Sequence, residues 1–234
     1  MIIFTKWPAP GAVKTRLAAD VGAEFASELA RAFLLDLVST ASQLPVELVL
    51  AYAPRDRRAD FRALLPPRWE LWPQEGADLG ERLGAALARS SAVDTIVIGS
   101  DSPWLGAVAL CEALAALRHA ESVIGPCEDG GFYLLGLRAE QEAQRRDLAA
   151  LLQHIRWSTE HTCADLLAQL AGGETSHHLL PLGYDVDTEA DLRRLATDLG
   201  QMPANALPAT RKALAPRISE RRRVAEWRAR ADRA

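Results

Sequence analysis

Lysine is nearly missing from this sequence. Only three of its 27 basic residues are lysines, and two of them, Lys6 and Lys14, fall close together near the N-terminus. Cysteine is scarce as well. Cys111, Cys127 and Cys163 are odd in number and form no C-x-x-C pair, which argues against a disulfide framework or a zinc knuckle. No apolar run approaches the roughly 20 residues of a membrane span. No charged leader followed by an apolar core opens the chain, so no signal peptide is expected and the cytoplasm is the default compartment. G-x-G-x-x-G and the Walker A loop are both absent, so neither phosphate mechanism can be borrowed. There is no Ser/His/Asp arrangement, and His177-His178 lies in a predicted strand, where neighbours face opposite ways. An overall basic charge is also lacking. The net value of -4 argues against a nucleic-acid partner, although it hides an asymmetry. From Ala204 to Ala234 there are nine basic and three acidic residues, a balance of +6 against -10 for the rest. One short basic helix without stacking partners is a poor nucleic-acid platform. The tail reads as a peripheral helical extension (204–234) of one domain (1–203), with Val224 and Trp227 touching the body.

What is present is a regular alternation of strands and helices. Expected strands are Met1–Phe4, Val46–Tyr52, Trp69–Trp72, Thr95–Ile98, Ser122–Pro126, Phe132–Leu137 and His177–Leu182. Between them lie predicted helices over Val21–Gln43, Arg55–Leu65, the stretch that follows the Gln74–Arg82 loop and runs through Ala92, Val108–His119 and Glu140–Leu152. Another helix starts at Trp157-Ser158-Thr159 and stops at Gly172-Gly173. The last helix is capped by Thr188-x-x-Asp191 and runs to Leu199. Continuous apolar strands such as Ile96-Val97-Ile98 suit a sheet covered on both faces, so the fold class is α/β with a mostly parallel sheet.

Candidate chemistry gathers where strands end. Asp101 follows the central strand, at the edge where open α/β sheets bind ligands. Ser102-Pro103 after it looks like an N-cap and first helical position. Asp101 therefore reads either as part of that cap or as a ligand for a divalent metal, and the local sequence leaves both open. The first strand opens into Thr5–Leu17, whose prolines and Gly11 forbid regular structure while Lys6, Lys14 and Arg16 cluster there. A strand, a Gly/Pro loop with cations and a helix start suit a phosphate, and a solvated basic loop is the alternative. The loop Gln74–Arg82, with Asp78 and Gly80, offers backbone amides to a base edge or phosphate. Asp129 with Gly130 and Gly131, and the pair Asp185 and Asp187, add acids at the same predicted edge. Carboxylates and cations around one crevice suit a magnesium-bound nucleotide. Trp7 and Tyr133 read as packing residues.

These segments, in order, resemble one family. The stretches Lys6-x-Pro8-x-Pro10-Gly11-x-Val13-Lys14-Thr15-Arg16-Leu17, Asp78-Leu79-Gly80-Glu81-Arg82 and Gly99-Ser100-Asp101-Ser102-Pro103 are similar to the DUF2064 family. So are Gly125-Pro126-x-x-Asp129-Gly130-Gly131-Phe132-Tyr133, Trp157-Ser158-Thr159 and Tyr184-Asp185-Val186-Asp187-Thr188. The resemblance spans about residues 1 to 200. It implies a GT-A-like, Rossmann-type three-layer sandwich with helices on both faces of the sheet. It also implies a transferase using a nucleotide-diphospho-sugar, with a nucleotidyltransferase that joins an NTP to a phosphate-bearing acceptor as alternative. A nucleotide-sugar binder without turnover is the non-enzymatic alternative. On this resemblance Asp101 and Asp187 hold Mg2+ (or Mn2+), with Asp101 and Asp129 as the catalytic acids. Lys14 and Arg16 hold the diphosphate together with Lys6 and Gly11. Gln74, Asp78, Gly80 and Arg82 lie near the nucleotide. Ser102, Asp129, Gly130, Gly131 and Trp157 line the donor and acceptor pocket, and the acceptor is a small molecule. Trp104 stands where a small or acidic residue is expected, which would alter that pocket.

Overall fold

The computed structural model describes residues 1–139, 152, 154–171 and 176–216. The helix expected over 140–152 (Leu152 apart), the Gly172-Gly173 stop and the tail beyond residue 216 lie outside the described residues. Among the described residues the sheet has seven strands in the order β3-β2-β1-β4-β6-β5-β7. These are β1 (Ile2–Lys6), β2 (Val49–Ala53), β3 (Glu70–Pro73), β4 (Thr95–Gly99), β5 (Ser122–Pro126), β6 (Phe132–Leu137) and β7 (His177–Leu179). The pairings are parallel except for β6, which runs antiparallel to both β4 and β5. Helices α1 (Thr15–Val21), α2 (Ala23–Ala41), α3 (Arg58–Leu64), α4 (Leu79–Arg89), α5 (Ala107–Ala116), α6 (Thr162–Ala171) and α7 (Glu189–Gln201) complete the elements named here.

Both faces of the sheet are covered, as the apolar strands require. On one face Ile3, Leu50, Tyr52, Ile96, Ile98 and Leu134 pack with Leu34 and Leu37 of α2, Phe61 of α3 and Leu110 of α5. On the other, Ile2, Val49, Val97, Ile124 and Leu135 meet Leu83 and Leu87 of α4 and Leu166 and Leu170 of α6. Neighbours such as Ile2 and Ile3 serve opposite faces because strand side chains alternate. The predicted three-layer α/β architecture is thus the observed one. A third apolar cluster lies beyond the first face, where Leu17, Phe33, Val186, Leu195 and Leu214 pack together.

Several local expectations differ. The long helix from Val21 is broken at Gly22, whose φ of +89° no L side chain adopts comfortably, so α1 and α2 are separate. The second strand begins at Val49, not Val46, and β7 is only three residues long, at the sheet's edge. Ser102-Pro103 does not start a helix: α5 begins at Ala107 with Gly106 as its cap. Ser102 is instead buried and donates its hydroxyl to Asp185. A buried carboxylate costs far more to leave unbonded than a solvent-facing helix end. The helix expected from Trp157 begins at Thr162, because Ser158 has φ +60° and the Thr162 hydroxyl bonds back to Arg156 and Thr159.

The packing also continues past 203. Asp36 of α2 is 2% exposed, and its two carboxylate oxygens accept from the Ala209 and Thr210 amides. They cap the helical residues 208–216. Leu207, Ala213 and Leu214 join the third cluster. Residues 207–214 thus contribute side chains to the same cluster as α1, α2 and α7.

Candidate active site

The chain turns back on itself between β1 and β4. One connection leaves β1 toward β2, while β4 pairs on the other side. That reversal opens a crevice at the strands' carboxyl ends, the usual ligand position in such sheets. The loop after β1 carries Lys14 and Arg16 to it, and the bend after β4 carries Asp101. Asp185 and Asp187 arrive from the loop before α7. Val186 donates its amide to the Asp101 carbonyl at 2.9 Å, which fixes the two acids beside the third. The resulting cavity has a volume of about 960 Å³.

Lys14 is the centre of this cluster. Its backbone adopts φ 50°, ψ 41°, a left-handed conformation that costs a residue with a Cβ and is often retained at functional sites. Its ammonium pairs with Asp101 and donates to Asp187 Oδ1 at 2.9 Å, while its side chain is only 3% exposed. Arg16 donates to the other Asp187 oxygen at 2.7 Å but remains 64% exposed. Burial opposes the charge on Lys14, yet the two carboxylates outweigh it and hold its pKa above the ordinary value. Burial likewise works against an ionised Asp187, but Lys14 and Arg16 prevail and its pKa is lowered. Asp185 is different. Burial pushes its pKa up to about 6; the Ser102 hydrogen bond opposes that rise and the Asp101 charge adds to it.

The structure brings most of the expected residues to one cavity. Lys6, Lys14, Arg16, Gln74, Asp78, Arg82, Asp101, Asp129, Gly131 and Asp187 all line it. Several of them are also engaged in holding the fold. Gln74 donates its side-chain amide to the Thr5 and Ala51 carbonyls, tying β1 to β2. Asp78 caps α4 by accepting from the Glu81 amide, and Arg82 grips the Gly76 and Ala77 carbonyls. Asp129 accepts from the Gly131 amide.

Gly11, Gly80, Ser102, Gly130 and Trp157 are not among the cavity-lining residues. Gly11 shapes the first loop, with φ +76°. Gly80 and Trp157 meet each other, since a Cβ on Gly80 would lie 2.2 Å from the indole nitrogen. Gly130 has φ +84°, and a Cβ there would stand 1.9 Å from the Glu160 carbonyl oxygen. That close approach sets Ser158, Thr159 and Glu160 as one wall of the cavity. The sequence reading missed this wall. The Trp157-Ser158-Thr159 motif pointed near it, but nothing local marks Glu160. Trp104 does not line the cavity either. It stacks on Tyr184, meets Tyr133 edge-on and donates to the Tyr184 carbonyl at 2.7 Å, supporting the loop from behind.

The donor set admits a divalent cation in one specific sense. Among the described residues no group of three or more His, Cys, Asp or Glu side chains is arranged to hold a metal. Asp101 and Asp187 supply two carboxylates within reach of one nitrogen. That number fits magnesium, which takes one or two carboxylates and completes its shell with water and substrate phosphates.

A family model described as an uncharacterized protein conserved in bacteria (DUF2064) matches residues 34–159, just over half of the 234-residue chain. A crystal structure from Desulfovibrio desulfuricans G20, described as a candidate nucleotide-diphospho-sugar transferase, is similar over 93% of this chain and 94% of that one. Its TM-score is 0.85 and its identity 29%. A CMP:2-keto-3-deoxy-manno-octonic acid synthetase complexed with CTP shares the fold at TM-score 0.53 and 13% identity, over 86% of this chain and 97% of that one. So does the 4-diphosphocytidyl-2C-methyl-D-erythritol synthase of Anaerococcus prevotii DSM 20548, at TM-score 0.53 and 9% identity, over 86% and 98%. No curated protein matches the chain. Among the described residues no helix is long and apolar enough to cross a membrane.

Proposed function

The chain belongs to the DUF2064 family, and from that premise and the charges of its crevice we propose a magnesium-dependent transferase acting on a nucleotide-activated donor. A nucleotide-diphospho-sugar is the donor we favour. The observation that carries this reading is the meeting of Lys14 and Arg16 with Asp101 and Asp187 at the β1/β4 reversal. Acids alone would repel a diphosphate, and cations alone would need no metal. Both together suit a phosphate chain that arrives with a divalent ion. The volume of about 960 Å³ is near the top of the range for small-molecule sites, room for a donor and an acceptor. The description of the 29% identical relative supports the sugar-nucleotide form.

In this reading Asp101 and Asp187 would hold Mg2+ or Mn2+, an ion that would supply positive charge beside the phosphates. Arg16 turns its planar fork to two phosphate oxygens, a geometry that a lysine cannot copy. Lys14 supplies a further cation from below. Asp129, with one oxygen held by the Gly131 amide, is placed to accept a hydrogen bond from the acceptor group or the donor sugar. Lys6, Gln74, Asp78 and Arg82 form the nucleotide side of the cavity.

Nucleotidyl transfer from an NTP, with pyrophosphate released, is the second reading. It is favoured by the synthetase fold seen with CTP. A thermal-shift panel of NDP-sugars and NTPs, with and without magnesium, tests both. A ligand at about 100 times its dissociation constant adds about 2.7 kcal/mol of stability. The favoured form predicts a metal-dependent shift with an NDP-sugar and NDP as product. Pyrophosphate as product selects the second form, and no shift with any nucleotide rejects both.

A further inference from the structure

Two of the crevice's acids are already paired with cations before any ligand arrives. Lys14 and Arg16 face Asp101 and Asp187, one cation for each acid, and the Lys14 nitrogen contacts both carboxylates. The two cations differ in how they are held. Arg16 is mostly exposed and can swing toward an incoming group at little cost. Lys14 is buried, lies 5.8 Å from the centre of the Phe33 ring and is directed inward by its left-handed backbone. A divalent ion that bridges the two acids through their Oδ1 atoms needs the oxygens that the ammonium now contacts. It would also stand beside the buried Lys14 charge, and two cations that close repel.

We infer that Lys14 and the divalent cation compete for the Asp101–Asp187 pair, so that metal binds only together with a phosphate-bearing nucleotide. This rests on the transferase reading given above. The nucleotide's phosphate oxygens give the Lys14 ammonium its replacement partner, and the acids it leaves then take the metal. Metal alone meets an occupied pair. By linkage, metal and nucleotide raise each other's affinity by the same factor.

The test is Mn2+ binding, read from the electron paramagnetic resonance signal of the free ion, first with no nucleotide. Lys14→Met removes the competing charge and keeps the side-chain length. It should bind Mn2+ at least about tenfold more tightly than the wild type, and Lys14→Met/Asp187→Asn should lose that gain. Adding UDP-glucose or GTP should raise Mn2+ affinity in the wild type and much less in Lys14→Met. Lys14→Gln, which still offers donors to both acids, replaces Lys14→Met if the latter does not fold. Equal Mn2+ affinity in the wild type and both lysine variants overturns the inference, even where nucleotides bind. Failure of the transferase reading looks different. No nucleotide then binds the wild type, while Lys14→Met still gains Mn2+; that result upholds the competition and removes its coupling to nucleotide.

Discussion

Two loops border the cavity, and they spend their polar side chains in opposite ways. In the loop after β1, Lys14 and Arg16 pair with an acid 173 and 171 residues away. At the entry to α4, Arg82 in the helix's first turn bonds loop carbonyls five and six residues away, and Asp78 caps the amide three residues on. The second loop uses its charge to hold its own shape. The first holds its charge against groups from another part of the chain, and a ligand can take those partners over. Sequence distance alone does not mark a site, however. Asp36 reaches amides 173 and 174 residues away, and its role is structural because both donors are backbone amides that start a helical turn.

Asp36 gives the sharpest test of that distinction and the largest expected effect. Asp36→Ala leaves two capped amides without acceptors and should cost about 3–5 kcal/mol of stability, from two hydrogen bonds to a buried charge. Chemical denaturation would show the loss, and the folded fraction should bind nucleotide as the wild type does. Reduced affinity in that fraction would tie the residues beyond 203 to the site.

Asp101→Asn should do the reverse. It removes a charge from the crevice, and metal-dependent nucleotide affinity should fall by about 2–3 kcal/mol, the scale of a charge-assisted contact. The fold should persist. Unchanged affinity by calorimetry would remove Asp101 from the metal site.

The two arginines then compare the loops directly. Arg16→Ala should weaken nucleotide binding by about 1.5–3 kcal/mol with little change in the melting temperature of the free protein. Arg16→Lys should recover only part of that, since charge survives but the fork does not. Arg82→Ala should lower the melting temperature slightly, by the about 0.5–1.5 kcal/mol of a typical hydrogen bond, with a smaller change in affinity. Swapped outcomes would reverse the assignment of the loops.

The smallest effect concerns a second local pair. Arg156 holds Asp165 through its guanidinium and its amide, keeping that carboxyl well below the usual carboxylate range. A lowered folded pKa gives stability above the unfolded value of about 3.9, and that stability is lost as pH falls through the folded value. The melting temperature of Asp165→Asn should therefore lie slightly below that of the wild type at about pH 6 and converge on it in strong acid. Added salt should narrow the gap, because the Arg156 guanidinium is exposed. A gap that widens in acid would contradict the assignment.

The sequence made the sheet legible because its strands are buried on both faces and read as unbroken apolar runs. It put Asp101 at the crevice because a carboxylate directly after such a strand lies at the sheet edge where ligands bind. Ser102 was misread for a physical reason: Ser-Pro is the same signal whether or not a helix follows, and the partner that decides it, Asp185, is 83 residues away. Lys14 stands out in the sequence as one of few lysines but not as a partner of its acids, since a contact across 173 residues leaves no local trace. Gly80 and Gly130 were expected at the ligand, yet each is small because another part of the chain lies on it.

The antiparallel course of β6 has an architectural consequence. Every other strand at the crevice delivers its end there, whereas β6 delivers its beginning, with the turn carrying Asp129 just ahead of it. One rim of the crevice is therefore a hairpin, short enough to be exchanged as a unit. A graft of residues 126–132 from a relative would leave the β1 loop, β4 and their charges in place. Such a graft would reshape one rim of the crevice while the opposite rim, from the β1 loop to β4, stayed as it is.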